Sequence, residues 1–128
     1  MRAVFAERHL RIAQAYLREG KIDRAYQEFQ RATVDKFHPD AWRAFDGFGT
    51  VQMMLKDFEG ARMSLEEACR LNRFNAASHY NLGLVFIALG DTINALSAFE
   101  RAYKLNPEDP NIQHALKRYG SFGRKELH

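Results

Sequence analysis

Residues 81–107, NLGLVFIALGDTINALSAFERAYKLNP, decide the reading of the chain, because residues 49–72, GTVQMMLKDFEGARMSLEEACRLN, echo them at an offset of 34. Gly49, Asp57, Ala61, Ala68, Leu71 and Asn72 recur as Gly83, Asp91, Ala95, Ala102, Leu105 and Asn106. A period of this length marks an array of helical repeats, each burying against its neighbours a face it cannot bury alone. The function to expect is binding rather than chemistry.

The frame reaches upstream with one adjustment. Ala13, Ala25 and Ala32 align with Gly49, Ala61 and Ala68 at a spacing of 36, so two extra residues lie between the first and second repeats, around Phe37 to Ala41. This places repeat 1 at 6–39 with the insertion near 40–41, repeat 2 at 42–75, repeat 3 at 76–109, a capping helix at 110–120 and a flexible tail at 121–128, all in one domain.

Each repeat reads as two helices joined by a tight turn. In the third, Tyr80, Leu82, Gly83 and Phe86 follow helical spacing, Gly90-Asp91 breaks the run, and Ala95, Phe99 and Ala102 carry a second amphipathic stretch. Asn106-Pro107 stops it, since proline lacks a backbone donor and disfavours helix in the residue before it. Repeat 1 turns at Gly20, but repeat 2 has Lys56 there, which predicts a strained or reshaped turn. The alanines let partner helices approach closely, and Phe29, Leu65 and Phe99 fill the space between them. Burying one such side chain is worth about 1.5–3 kcal/mol before entropy is counted. After Pro110, Ile112, Ala115, Leu116 and Tyr119 form a single stripe, with Asp109 as N-cap and Gly120 as stop, the pattern of a terminal cap.

Composition sets limits around this frame. The 128 residues are 46% hydrophobic and 27% charged, enough for a usable core, and basic and acidic residues interleave to a formal net charge of +3. A single cysteine, Cys69, excludes an internal disulfide framework and any zinc site built from several cysteines. The start has no apolar run long enough for a signal peptide, and no segment approaches the roughly 20 apolar residues of a membrane span. The expectation is a soluble, cytoplasmic chain without membrane insertion, whole or trimmed from something larger.

The third repeat closely resembles the tetratricopeptide repeat. Asn81-Leu82-Gly83, Phe86, Gly90-Asp91, Ala95, Phe99, Ala102 and Leu105-Asn106-Pro107 match that pattern in order and spacing. Repeat 2 matches through Phe48-Gly49, Asp57, Ala61, Leu65, Ala68 and Leu71-Asn72, with Arg73 where proline is usual. Repeat 1 matches through Ala13, Tyr16, Gly20, Ala25, Phe29 and Ala32. The resemblance implies an all-α fold, a right-handed superhelix of antiparallel helix pairs (an α-solenoid of about seven helices), whose first helices line a concave groove for a peptide or helix. It implies no catalytic residues, metal or cofactor.

Carried over position by position, the groove comprises Glu7, Leu10, Arg11, Gln14, Leu17 and Arg18, then Arg43, Asp46, Gly47, Thr50, Met53 and Met54, then Ala77, Tyr80, Asn81, Leu84, Ile87 and Ala88. One subgroup of the family clamps a peptide carboxylate with lysine, arginine and asparagine. Here those positions hold Leu10, Gln14, Gly47, Ala77 and Asn81, and a carboxylate needs charged, preorganised donors that this set lacks. The expected ligand is instead an apolar segment or amphipathic helix of another protein, with Met53 and Met54 adapting to its shape and Asn81 bonding its backbone. The chain then serves as adaptor, assembly factor or chaperone. The alternative is that these side chains are covered by the protein's own segments or by a second copy, giving a self-associating scaffold. Nucleic-acid binding through Arg118, Arg124 and Lys125 ranks behind both.

Three signals resemble chemistry. His38-Pro39-Asp40 spells the J-domain tripeptide, yet it falls in a loop already explained by the repeat frame. Gly47-Phe48-Gly49 lacks the third glycine and the preceding strand of a phosphate loop. His9 and His79 hold equivalent positions in different repeats and lack the spacing that puts two metal ligands on one helical face. No nucleophile with an adjacent base stands out, so the chain reads as non-enzymatic.

Overall fold

The computed structural model describes residues 2–120. The seven α-helices are α1 (Arg2–Arg18), α2 (Ile22–Ala32), α3 (Ala41–Met54), α4 (Phe58–Leu71), α5 (Ala76–Ala88), α6 (Thr92–Leu105) and α7 (Pro110–Ala115), the last running into a π-helical turn over Leu116–Gly120. No strand occurs among the described residues. The chain divides into two compact units, Met1–Arg73 with the first two helix pairs and Phe74–His128 with the third pair and the terminal helix. The tail expected at 121–128 lies outside the described residues. No helix among them is long and apolar enough to cross a membrane.

The pairs are closed by turns that share two backbone hydrogen bonds. At the end of α1 the Gly20 amide donates to the Leu17 carbonyl (3.1 Å) and the Lys21 amide to that of Tyr16 (2.9 Å). The same two bonds close the other turns, from Lys56 to Met53 and Asp57 to Gln52, and from Gly90 to Ile87 and Asp91 to Phe86. This double closure requires a left-handed residue just past the helix. Gly20 (φ 76°) and Gly90 (φ 79°) adopt it without strain, whereas Lys56 (φ 62°) adopts it with a side chain. The strained turn read at Lys56 is therefore present, and its geometry is that of its glycine counterparts. The following helix starts on a carboxylate cap in two cases, with Asp57 accepting from the Gly60 amide (3.0 Å) and Asp91 from that of Asn94 (3.1 Å).

Between the helices the small and large positions interlock as the sequence frame requires. Ala25, Ala61, Ala95, Ala32, Ala68 and Ala102 are all buried, and Phe29, Leu65 and Phe99 lie fully inside. A Cβ on Gly83 would come within 2.4 Å of the Phe99 ring, and one on Gly49 within 2.6 Å of Leu65, so the glycines mark closest helix approach. Ala13 is buried at the matching position of the first pair. Gly49 meets Leu65 while Gln52 bonds Ser64, which shows that α3 and α4 run antiparallel. The Ser64 hydroxyl donates to Gln52 Oε1 over 2.6 Å, a buried polar bond at positions where the third pair carries Phe86 and Ala98. In the first pair His9 bonds Glu28, and Phe5 lies edge-on to the His9 ring.

Two boundaries differ from the sequence frame. α1 begins at Arg2, ahead of the first repeat position at 6, because nothing in residues 2–5 breaks a helix. The terminal helix begins at Pro110 on its Asp109 cap, which accepts from the Asn111 amide (2.8 Å), but its last five residues widen into the π-helical turn. That turn accompanies the stacking of Tyr119 on Phe99, with centroids 6.0 Å apart and planes 14° from parallel.

Candidate binding cleft

In the first unit α1 and α3 diverge and leave a cleft over α2. Its outer part, about 240 Å³, is lined by Ala6, Glu7, Leu10, Arg11 and Gln14 of α1, Ala32 of α2, Asp35, His38 and Asp40 of the connecting loop, and Ala41, Arg43 and Ala44 of α3. Its inner part, about 210 Å³, is lined by Gln14, Leu17, Phe29, Arg43, Asp46, Gly47 and Thr50. Gln14 and Arg43 border both, so the two recesses are neighbours.

The floor is set by the core. Leu10, Ala13, Ala25, Phe29, Ala32, Ala44 and Val51 form one buried cluster, with Tyr16, Leu17, Ile22, Tyr26 and Phe48 packed against it. Because these apolar side chains already fill the space between helices, several polar residues of α1 and α3 are left at the cleft wall. Arg11 reaches Glu7 Oε1 (3.2 Å), Arg43 Nε lies 3.8 Å from Asp40, and the Thr50 hydroxyl donates to the Asp46 carbonyl (2.9 Å). The connecting loop is held in shape by its own bonds. The Phe37 amide donates to Asp35 Oδ1 (3.0 Å), the Asp40 amide to His38 Nδ1 (3.1 Å), and the Thr33 hydroxyl to the Gln30 carbonyl (2.7 Å).

Nine of the groove residues named from sequence, Glu7, Leu10, Arg11, Gln14, Leu17, Arg43, Asp46, Gly47 and Thr50, line this cleft. Met53 is half-buried and Met54 exposed, both outside its lining. In the second unit Tyr80, Leu84 and Ile87 are half-buried and pack with Phe86, Leu116 and Tyr119 against a cluster of Ala95, Phe99 and Ala115. Those three side chains are thus engaged by the unit's own core, while Asn81 is half-buried and Ala77 and Ala88 are exposed. Sequence reasoning did not name Phe29, Asp35, His38 or Asp40 as lining residues. The signal for the last three was the two-residue insertion, which builds the loop that walls the cleft.

The other candidate signals resolve locally. His38-Pro39-Asp40 sits in that loop, Cys69 is buried on α4, and His79 is buried on α5. Among the described residues no cluster of three or more His, Cys, Asp or Glu could hold a metal. Arg118 lies over the Tyr119 ring at 5.4 Å, and Arg124 and Lys125 fall outside the described residues.

Helix pairs repeated on one small-and-large frame, with an open cleft between the first helices of two of them, define an α-helical repeat scaffold. The chain belongs to the tetratricopeptide repeat family, whose pattern it matches over residues 10–70 and 76–109. Among curated proteins it is similar to the BBSome complex member BBS4 of Bos taurus, 26% identical over 101 residues, which cover 79% of this chain and 19% of that protein. It is likewise similar to anaphase-promoting complex subunit 3 of Schizosaccharomyces pombe, 26% identical over 105 residues, covering 82% of this chain and 16% of that protein. The chain therefore spans less than a fifth of either relative.

Solved structures share the fold. The first tetratricopeptide domain of Spaghetti (RPAP3), bound to the HSP90 peptide SRMEEVD, has a TM-score of 0.85 at 21% identity, with 93% of each chain covered. The Arabidopsis OM64 domain has a TM-score of 0.86 at 16% identity, covering 95% of this chain and 99% of that one. MamA has a TM-score of 0.77 at 24% identity, covering 90% of this chain and 68% of that one.

Proposed function

We propose that this chain is a protein-interaction module that takes a peptide or amphipathic helix of another protein along the first helices of its repeats, acting as an adaptor, assembly factor or chaperone. The α1–α3 cleft carries the reading. It is open, its wall has hydrogen-bonding groups, and its floor is rigid because the core beneath is fully packed. Family membership supports it, as does the naming of both curated relatives as parts of complexes. In this reading Met53 and Met54 extend the contact beyond the cleft. The module is cytoplasmic and has no enzymatic activity of its own.

The test is a neutral filling of the cleft, Gln14→Phe with Thr50→Trp, compared with wild type by capture of partners from native lysate and by crosslinking at the cleft rim. Far-UV circular dichroism should stay unchanged while captured partners are lost. An unchanged partner set overturns the cleft as the binding site, and mass that rises with concentration in light scattering identifies a second copy as the occupant instead.

A further inference from the structure

We propose that the segment taken by the α1–α3 cleft is basic, an inference that rests on the cleft being the binding site. The chain as a whole carries a formal charge of +3, yet the lining inverts that sign. Glu7, Asp35, Asp40 and Asp46 bring four carboxylates to the cleft, and Arg11 and Arg43 bring two guanidiniums. Each arginine lies by a carboxylate of the same wall, Glu7 at 3.2 Å and Asp40 at 3.8 Å, so these charges offset one another and the lining as a whole stays acidic. An anionic segment would lie against a lining with two more carboxylates than guanidiniums, and like charges brought together at close range disfavour a wrong partner. A lysine- or arginine-bearing segment meets a local field of the opposite sign, focused between two helix walls over an apolar floor.

The position of the acids sharpens the assignment. Asp35 and Asp40 come from the loop that contains the two extra residues, so the feature that departs from the repeat frame is also what makes the cleft acidic. On that loop Phe37 is 97% exposed, and its amide donates to Asp35 Oδ1.

The probes are three fluorescent peptides of equal length in which leucine and alanine alternate with lysine, glutamine or glutamate, titrated against the full chain by anisotropy at low and raised salt. The lysine peptide should bind about tenfold tighter than the glutamine peptide and lose that margin as salt rises, with the glutamate peptide weakest. Asp35→Asn with Asp46→Asn should bring the lysine peptide to the level of the glutamine peptide without lowering the melting temperature. Equal binding of the lysine and glutamine peptides, both abolished by the neutral filling of the cleft, overturns the charge preference and leaves the cleft reading standing. Lysine-peptide binding that survives the filling overturns both. Tighter binding of the glutamate peptide, or no binding of any of the three, overturns the proposal.

Discussion

In the first unit, α1 and α3 leave a cleft walled by glutamate, aspartate and arginine. In the second, α5 contains no Asp, Glu, Lys or Arg, and turns Tyr80, Leu84 and Ile87 onto a core that includes Ala115 of the terminal helix. Both units are built on one internal frame, with buried alanines at matching positions and Phe29 or Phe99 filling between them. The difference teaches that the repeated positions settle only how each pair closes. What the first helix of a pair faces is decided by the positions between them, which are free to become charged wall or apolar core.

The strongest way to break the comparison is to attack the shared frame. Ala61→Asp and Ala95→Asp each bury a carboxylate where exposure is 0%, and an uncompensated buried charge costs about 3–5 kcal/mol against a total stability of about 5–15. Both variants should lose the cooperative thermal transition followed by circular dichroism. A melting temperature close to wild type in either would show that the frame is misassigned in that unit.

The next test separates the units. Phe29 borders the open cleft, whereas Phe99 is enclosed by Tyr80, Gly83 and Tyr119. Large-to-small changes cost least where the site can relax or admit water, so urea denaturation should place Phe29→Ala near the lower end and Phe99→Ala near the upper end of about 3–5 kcal/mol. Equal losses would mean that the cleft gives Phe29 no relief.

A smaller effect is expected at the turns. A side chain in the left-handed region is disfavoured, so Lys56→Gly should stabilise by about 1 kcal/mol, raising the melting temperature by about 4 °C. Gly90→Lys should lose a similar amount, since its Cβ would meet nothing within 4 Å and only the backbone objects. The smallest effect is in the acid limb of stability. Hydrogen bonds from the Asn94 side chain and then its amide hold the Asp91 carboxyl below the usual aspartate range. Its contribution is therefore present above the ordinary aspartate pKa and fades as pH falls through the depressed one. Asp91→Ala should flatten the fall of melting temperature between neutral and strongly acidic pH, and an unchanged slope would remove the cap from the account.

The helix pairs and the turn at Lys56 were legible because they rest on local rules: helical spacing, a stop at proline, and a position that only a left-handed residue can fill. The cleft was legible in part. Gln14, Leu17, Asp46 and Thr50 fall on the partly open side of α1 and α3 by periodicity and line it, as does the buried Leu10 from beneath. Tyr80, Leu84 and Ile87 have the same spacing, but their surroundings depend on where the terminal helix lies, which no spacing rule within α5 encodes. Asp35 and His38 were missed because the loop sits outside any periodic pattern, and its shape comes from side chains bonding their own neighbouring amides.

The buried bond between Ser64 and Gln52 carries a consequence for how this array can change over generations. Where the third pair has Phe86 and Ala98, the second has two polar residues that are each acceptable only in the presence of the other. A lineage that replaced either one alone would leave a stranded polar group inside, a cost of about 1–3 kcal/mol. The second repeat therefore cannot be overwritten piecemeal by a copy of the third, and across related sequences the columns for Gln52 and Ser64 should be inherited as a couple.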